Sequence, residues 1–469
     1  MKRKKPLFFA IFFLGFNTIF AQQTKKDSIL SFSLKSAQDY ALENNPLVKN
    51  ANLDLESAKK KIWETTAIGL PQVNSKLAYS YQITIPDLEK QLSGLTNLGG
   101  WMYGVDQYLY TTSGSPNFGH ITAPDPNQKA ASENELRWGL TYDITASEII
   151  FNGAYLVGLQ TSKIYKQLSE LGITKSQYDI TEQVANAYYL VLIAQENKSI
   201  IDSTYSNTEK IFNYIKSMNE QGLLEETDVD QMQLTLSTIK NTLDMLTRQV
   251  EVAKNLLKFQ MGIELNQNIA LTDNLTSLVE SSDLVMLATK DFKVENNNDY
   301  KLMETQEKLS GLNLKLQKSS LLPDIAVFYT HEENFNKNSF SFTPPNLIGL
   351  SMNIPLFGSG MKLSKINQAK IGLEKAKNSK QQVSLGLQTS FFDAKSSFIT
   401  ALNKYQTNKQ NVKLAEKIYN KNIVKYKEGI TGGMELTQSQ NQYLQAQSNY
   451  YTSIIELTTA KSKLEKMLK

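Results

Sequence analysis

Two periodicities alternate along this chain. Ile180, Val184, Ala187, Val191, Ala194, Lys198, Ile201, Tyr205, Thr208, Phe212 and Ile215 recur in steps of four and three. Met232, Leu236, Ile239, Leu243, Leu246, Val250 and Ala253 do the same, and Val383, Leu387, Phe391, Ala394, Phe398, Ala401 and Tyr405 come close. That spacing packs helices side by side, and a seam so rich in Ala, Tyr and Thr suits a tube of many helices rather than a two-stranded zipper. The pattern predicts long helices over residues 153–221, 230–261, 361–428 and 436–468. The first has no proline and would reach roughly 100 Å at 1.5 Å per residue. Helices over 46–70 and about 300–321 reach only about 35 Å, so they need end-to-end partners, for which 230–261 and 436–468 are the candidates.

Between the helices the period falls to two. Val73, Leu77, Tyr79, Tyr81 and Ile83 alternate with Asn74, Lys76, Ser80 and Gln82, and Leu136, Trp138, Leu140, Tyr142 and Ile144 alternate with Arg137, Gly139, Thr141 and Asp143. Ile325, Val327 and Tyr329 follow later, and Ile348, Leu350, Met352 and Ile354 surround Gly349, Ser351 and Asn353. The strands are expected over about 71–85, 135–146, 323–331 and 347–355. Runs of this length with one apolar and one polar face fit tilted strands of a membrane barrel, with Tyr and Trp suited to the interfaces.

The same unit is written twice. Ala41-Leu42-Glu43-Asn44-Asn45-Pro46, a helical stretch and Gly69-Leu70-Pro71 correspond to Asn296-Asn297-Asn298-Asp299, a helical stretch and Leu321-Leu322-Pro323. Ile150-Phe151-Asn152-Gly153 answers Pro355-Leu356-Phe357-Gly358, and Asn219-Glu220-Gln221-Gly222 answers Tyr426-Lys427-Glu428-Gly429. The interval from Phe151 to Gly222 equals that from Phe357 to Gly429 to within one residue. The interval from Pro71 to Phe151 is instead more than twice that from Pro323 to Phe357. The excess, residues 86–134, is rich in Gly, Pro, Asn, Thr and Tyr and reads as a long loop between strands, facing outside the cell. The division is therefore repeat 1 over 22–262, a connecting or equatorial segment over 263–297 that loses the heptad, and repeat 2 over 298–469.

Composition changes this picture at the N-terminus. Lys2, Arg3, Lys4 and Lys5 precede an apolar run from Leu7 to Phe20, and Ala21 offers a small residue for cleavage. Residues 1–21 read as a secretory signal peptide, too short to span a bilayer comfortably. The chain has 50 Lys+Arg against 46 Asp+Glu. The signal holds four of the basic residues and no acid, so the mature chain is formally neutral and no basic stripe argues for nucleic acid. Cysteine is absent, which excludes disulfides, thiolate metal sites and a lipid-modified N-terminal cysteine. His120 and His331 have no companion ligands, and no phosphate loop, nucleophile elbow or zinc signature is present. The expectation is no enzyme, no cofactor and no metal.

Four strands cannot close a barrel, and an open sheet edge in lipid leaves backbone groups unsatisfied. The chain must therefore assemble with copies of itself. Three copies give twelve strands, enough for a barrel with a lumen, and gather the helices into a cylinder. The fold class is an α+β membrane protein: a trimeric 12-strand β-barrel, four strands per chain, continued by a long α-helical coiled-coil tunnel with an internal two-fold repeat. The rival is a secreted coiled-coil scaffold or adhesin without transport activity, which would stay soluble without detergent.

In the order of its duplicated motifs the sequence resembles the TolC-like outer-membrane efflux proteins, or outer membrane factors, of Gram-negative bacteria. Ala-Leu-Glu-Asn-Asn-Pro46, the Leu-Pro pairs at Pro71 and Pro323, Pro355-Leu356-Phe357-Gly358 and the Gly222-Leu223 to Thr227-Asp228-Val229 turn carry the likeness over nearly the whole mature chain. The resemblance implies a homotrimer in outer-membrane lipid with its helical tunnel in the periplasm. It also implies a channel conducting substrates outward in tripartite efflux or type I secretion, with a periplasmic adaptor protein and an inner-membrane pump. By the same resemblance, adaptor contacts fall on the hairpin tips at Gly222, Leu223, Thr227, Asp228, Gly429 and Thr431, and the periplasmic gate on Asp228, Tyr426 and Glu435. The arginine the family places near Thr431 is absent, as is a second acid at Gln438. Read from the residues alone, Glu225, Glu226, Asp228 and Asp230 are either a negative collar tripled by symmetry or carboxylates at a helix N-terminus capped by Thr227 or Asp228.

Overall fold

The seams with alternating steps of four and three form helices, the period-two runs form strands, and the two alternate in the order the sequence writes them. The computed structural model describes residues 29–81, 83, 101–103, 105, 138–280, 284–335 and 344–469. The signal peptide and most of the 86–134 loop lie outside these. The helices are α1 (Leu34–Asn44), α2 (Pro46–Ile68), α3 (Gly153–Glu220), α4 (Glu226–Met261), the short α5 (Leu275–Glu280) and α6 (Leu284–Thr289), α7 (Asn298–Ser319), α8 (Met361–Lys427) and α9 (Gly433–Met467). The strands are β1 (Leu30–Phe32), β2 (Gln72–Tyr81), β3 (Trp138–Phe151), β4 (Ile269–Leu271), β5 (Asp324–Asn334) and β6 (Asn346–Asn353). The architecture is thus α+β, with one four-stranded sheet among long helices. The chain forms two compact units, each assembled from separate stretches of sequence.

Among the described residues the first unit joins 29–49, 176–292 and 389–469. Its core is made by the heptad positions. Ile180, Val184, Ala187 and Val191 of α3 and Phe391, Ala394, Phe398 and Ala401 of α8 are buried in one cluster with Tyr451, Ile454, Leu457 and Leu464 of α9. The non-heptad segment is more structured than a connector. Its strand β4 pairs in parallel with β1, Leu30 opposite Ile269 and Phe32 opposite Leu271. Asp273 locks this pair to the helices, accepting hydrogen bonds from the Leu34 backbone N–H at 2.7 Å and the buried Tyr188 hydroxyl at 3.0 Å. Strand β1 and helix α1 had no clear signal, because a three-residue strand is too short to show a period. Gly262 closes α4 in the left-handed region at φ +73. It lies so close to the α1–α2 junction that a Cβ there would meet the Asn44 carbonyl oxygen at 2.8 Å. Asn45, itself buried, donates to the Gln260 carbonyl at 2.7 Å.

The second unit joins residues 50–175 and 293–388 and holds the sheet, ordered β2-β3-β5-β6 and antiparallel throughout. Opposed residues share a face. One face carries Leu77 with Tyr142, Tyr79 with Leu140, and Val73, Ala146, Tyr329 and Ile348 in one row. The other carries Lys76, Asp143 and Glu332 in one row and Asn74, Thr145 and Thr330 in the next. On the apolar face Val73, Leu77, Tyr79, Ile348, Leu350 and Met352 are each more than half exposed. Among the described residues β2 and β6 each have one free edge. The two strand-to-helix junctions differ. In the first copy Asn152 caps α3, accepting from the Tyr155 N–H at 2.7 Å and donating to Asp324 at 2.9 Å. In the second, the chain passes through Pro355–Phe357, which have no regular secondary structure, and two positive-φ residues, Ser359 and Gly360, before α8.

Candidate functional site

The sequence placed its candidate residues on the turns α3–α4 and α8–α9, both in the first unit. Each turn begins with the same device. Gly222 and Gly429 follow the last helical turn at φ +75 and φ +69. The Gly222 N–H bonds Asn219 C=O at 2.8 Å and the Leu223 N–H bonds Met218 C=O at 2.9 Å; Gly429 and Ile430 repeat this onto Tyr426 and Lys425 at 3.0 and 2.9 Å. That is a Schellman closure, and glycine is required because a Cβ disfavours the left-handed conformation. The residues after the glycines, Leu223 and Ile430, are apolar and exposed. Both turns thus present an apolar side chain to solvent.

The helices leaving the turns start differently. Helix α4 begins four residues earlier than its heptad, at Glu226, with Glu225 as cap residue and no side-chain cap bond. Neither Thr227 nor Asp228 caps it: the Thr227 hydroxyl donates back to Glu225 at 3.2 Å. Glu226 and Asp228 lie in the first turn, where carboxylates oppose the helix's positive end. Helix α9 starts at Gly433 behind a Gly432 cap. Thr431 donates to Glu435 one turn on, so that carboxylate is engaged within its own turn.

Asp228 and Tyr426 come together. Tyr426 is buried in a cluster with Ile211, Ile215, Met232, Tyr419 and Leu436, which draws on all four helices of the tip. Burial, then the nearby Asp228 carboxylate, pushes its phenol up to about 12. The Tyr426 hydroxyl is buried with no hydrogen-bond partner among the described residues. Asp228 instead packs on Gly433, where a Cβ would meet its Oδ1 at 2.5 Å. The two hairpins therefore touch through a carboxylate seated on a glycine. Glu435 is exposed and apart from this contact.

A polar layer lies further up the same helices. Gln440 of α9 donates to Thr208 of α3 at 2.6 Å, both buried. Ser439, Gln447 and Ser453 of α9 are buried as well. Sequence reasoning placed Thr208 in the seam but missed Gln440 and Gly433. Gly433 left a signal: a second glycine at a helix start, where no positive φ is needed, marks a close approach. Among the described residues no group of His, Asp and Glu is placed to hold a metal ion.

Residues 294–468 match the family model described as outer membrane efflux protein. Several solved structures share the fold along almost the whole chain. CusC aligns with a TM-score of 0.71 at 13% identity, covering 93% of this chain and 92% of its own. The Campylobacter jejuni CmeC outer membrane channel aligns at 0.70 and 15%, covering 93% and 85%. The Vibrio cholerae outer membrane protein VceC aligns at 0.67 and 14%, covering 93% and 95%. At such identities the likeness is one of fold. No curated protein matches the sequence. The resemblance to TolC-like outer-membrane efflux proteins drawn from the duplicated motifs holds.

Proposed function

We propose that this chain, with its outer membrane efflux protein domain and channel fold, is the outer-membrane duct of an export system and works as a homotrimer. One observation carries the reading. The sheet has an exposed apolar face, a polar face and two free edges. An apolar face belongs in lipid, and free edges in lipid must pair. Joining β6 of one copy to β2 of the next satisfies both demands, and three copies make a twelve-strand barrel with Lys76, Asp143 and Glu332 facing its lumen. The helices continue it as a periplasmic tunnel, to which the hairpin tips form the gate.

At the gate, the Asp228–Gly433 seat and buried Tyr426 hold the two hairpins of one chain together, and Glu435 lines the entrance. Leu223, Thr227, Gly429 and Thr431 are the surface for a periplasmic adaptor, which couples the duct to an inner-membrane pump in efflux or type I secretion. The absence of cysteine makes the assembly directly testable. Single cysteines on the edge strands, at Asn74 in β2 and Ser351 in β6 and at their neighbours, are paired by oxidation in outer-membrane preparations. A covalent trimer is expected from at least one pair. Extraction of the unmodified chain without detergent, as a monomer, would return the reading to a secreted coiled-coil scaffold.

A further inference from the structure

The face of the sheet assigned to lipid changes character partway along two of its strands. On β5 and β6 the pairs Ile325–Met352, Val327–Leu350 and Tyr329–Ile348 are apolar, and the next pair on that face is His331–Asn346. Glu333 follows, opposite Tyr142 of β3. Strand β5 leaves the helices at Asp324, so in the duct reading this order runs from the membrane interior toward the outside. Strand β5 also lies between β3 and β6, inside the sheet. Joining copies along β2 and β6 therefore leaves this face of β5 directed at lipid.

The change falls at one level of the membrane. The His331–Asn346 row continues to Ile144 of β3 and Ser75 of β2. Tyr142 stands two residues beyond that row on β3, and Tyr79 four residues beyond it on β2. Four residues along a strand are about 14 Å, and the three strand spacings from β6 to β2 are also about 14 Å. A line through Asn346, His331, Tyr142 and Tyr79 is thus level for strands tilted about 45°, the upper end of the usual barrel range. Tyrosines at one level of a lipid face mark the headgroup boundary.

Polarity alone would satisfy that boundary, but these side chains are also held. The Tyr329 hydroxyl donates to Asn346 Oδ1 at 2.7 Å, and His331 Nδ1 lies 2.8 Å from the same oxygen. An amide oxygen only accepts, so Nδ1 carries a proton. The imidazole is thereby oriented, and in its doubly protonated form Nε2–H is a charged donor suited to a phosphate oxygen. Glu333 stands two residues farther out on the same face, about 7 Å along the strand and about 5 Å along the membrane normal at that tilt. A cation below and a carboxylate above repeat, with opposite signs, the order of phosphate and ammonium in a zwitterionic headgroup. The ethanolamine arm, two carbons between phosphate oxygen and ammonium, has that reach.

We infer that His331 and Glu333 hold the phosphoethanolamine headgroup of a membrane lipid, its phosphate on the imidazole and its ammonium on the carboxylate. This deepens the duct reading and rests on it, because the face must meet lipid. Charge order selects the occupant. A purely anionic headgroup sets no cation against Glu333, and the quaternary ammonium of phosphocholine has no N–H to donate to it.

The mature full chain in detergent is titrated with phosphatidylethanolamine, phosphatidylcholine and phosphatidylglycerol of identical acyl chains, and lipid retention is read by native mass spectrometry. Phosphatidylethanolamine should be retained about fivefold over either of the others, the upper worth of one exposed ion pair. Glu333→Gln should remove that preference, and His331→Leu should weaken all three lipids, which share the phosphate. Glu332→Gln removes the same charge from the opposite face and should leave the preference unchanged. Equal retention of the three lipids by the unmodified chain overturns the inference. So does a preference that survives Glu333→Gln or is lost equally in Glu332→Gln. Planar-bilayer conductance separates the two claims: channels without lipid preference count against the headgroup site alone, whereas absent channels in the unmodified chain count against the duct.

Discussion

Three glycines with nearly the same backbone conformation are expected to respond very differently to a single added methyl group. Gly222, Gly262 and Gly429 have φ of +75, +73 and +69, and each closes a helix. Replacement by alanine costs roughly 1–2 kcal/mol at all three for the left-handed conformation. At Gly222 and Gly429 nothing lies within 4 Å of the new Cβ, so that is the whole effect. At Gly262 the Cβ meets backbone, the Asn44 carbonyl oxygen at 2.8 Å and the Asn45 Cα at 3.2 Å. Backbone cannot turn aside as a side chain can, and overpacking of this kind adds about 1–3 kcal/mol. A chain of two compact units has no single unfolding transition to read; hydrogen exchange at the closing amides is the appropriate assay. Gly222→Ala and Gly429→Ala should speed exchange at Leu223 and Ile430 about tenfold, and Gly262→Ala should speed Ile263 about a hundredfold or more, at 1.4 kcal/mol per decade. Equal effects at the three sites would refute the close approach of α4 to the α1–α2 junction.

Other outcomes follow from single contacts. Asp273→Ala strands the Leu34 N–H and the Tyr188 hydroxyl and should destabilise the β1–β4 pair by about 2–4 kcal/mol, seen as early proteolysis at residues 29–33, with Asp273→Asn less affected. Thr208→Val and Gln440→Leu should each cost about 1–3 kcal/mol by leaving one buried polar group unpaired, and the double variant less than their sum. Tyr426→Phe removes a hydroxyl with no partner and should leave the tip as stable at neutral pH or more so. Its phenol is raised in the folded tip from 10 to about 12, so the stabilisation from a neutral Tyr426 is complete below pH 10 and lost as pH rises toward 12. Exchange at residues 211–215 should accelerate over that window in the unmodified chain and less in Tyr426→Phe; identical alkaline profiles would contradict the assignment.

The seams were legible because a helix that packs on helices must repeat its apolar contacts, and Ile180, Val184, Ala187 and Val191 are buried as that rule requires. The sheet faces were legible for the same reason at period two, with Lys76 and Asp143 both set among the polar positions, but their register and the continuation of β5 to Glu332 in the same row depended on strand pairing that no single run shows. What stayed hidden depended on distant partners. Strand β1 exists because β4 and Asp273 hold it, more than two hundred residues away in sequence. The start of α4 was placed late because residues 226–229 satisfy helix geometry without continuing the seam. At the tip, Asp228 and Tyr426 were identified by motif, yet the surface on which Asp228 rests is a glycine, which no side-chain chemistry could announce.

The duct reading stands or falls on conductance. The purified mature chain, reconstituted into planar bilayers, should give discrete channel openings from a species that cross-linking shows to be a trimer. Asp228→Ala and Tyr426→Ala, which loosen the contact between hairpins, should raise the conductance of the resting channel severalfold. A folded, detergent-dispersed chain that remains monomeric and passes no current would contradict the account.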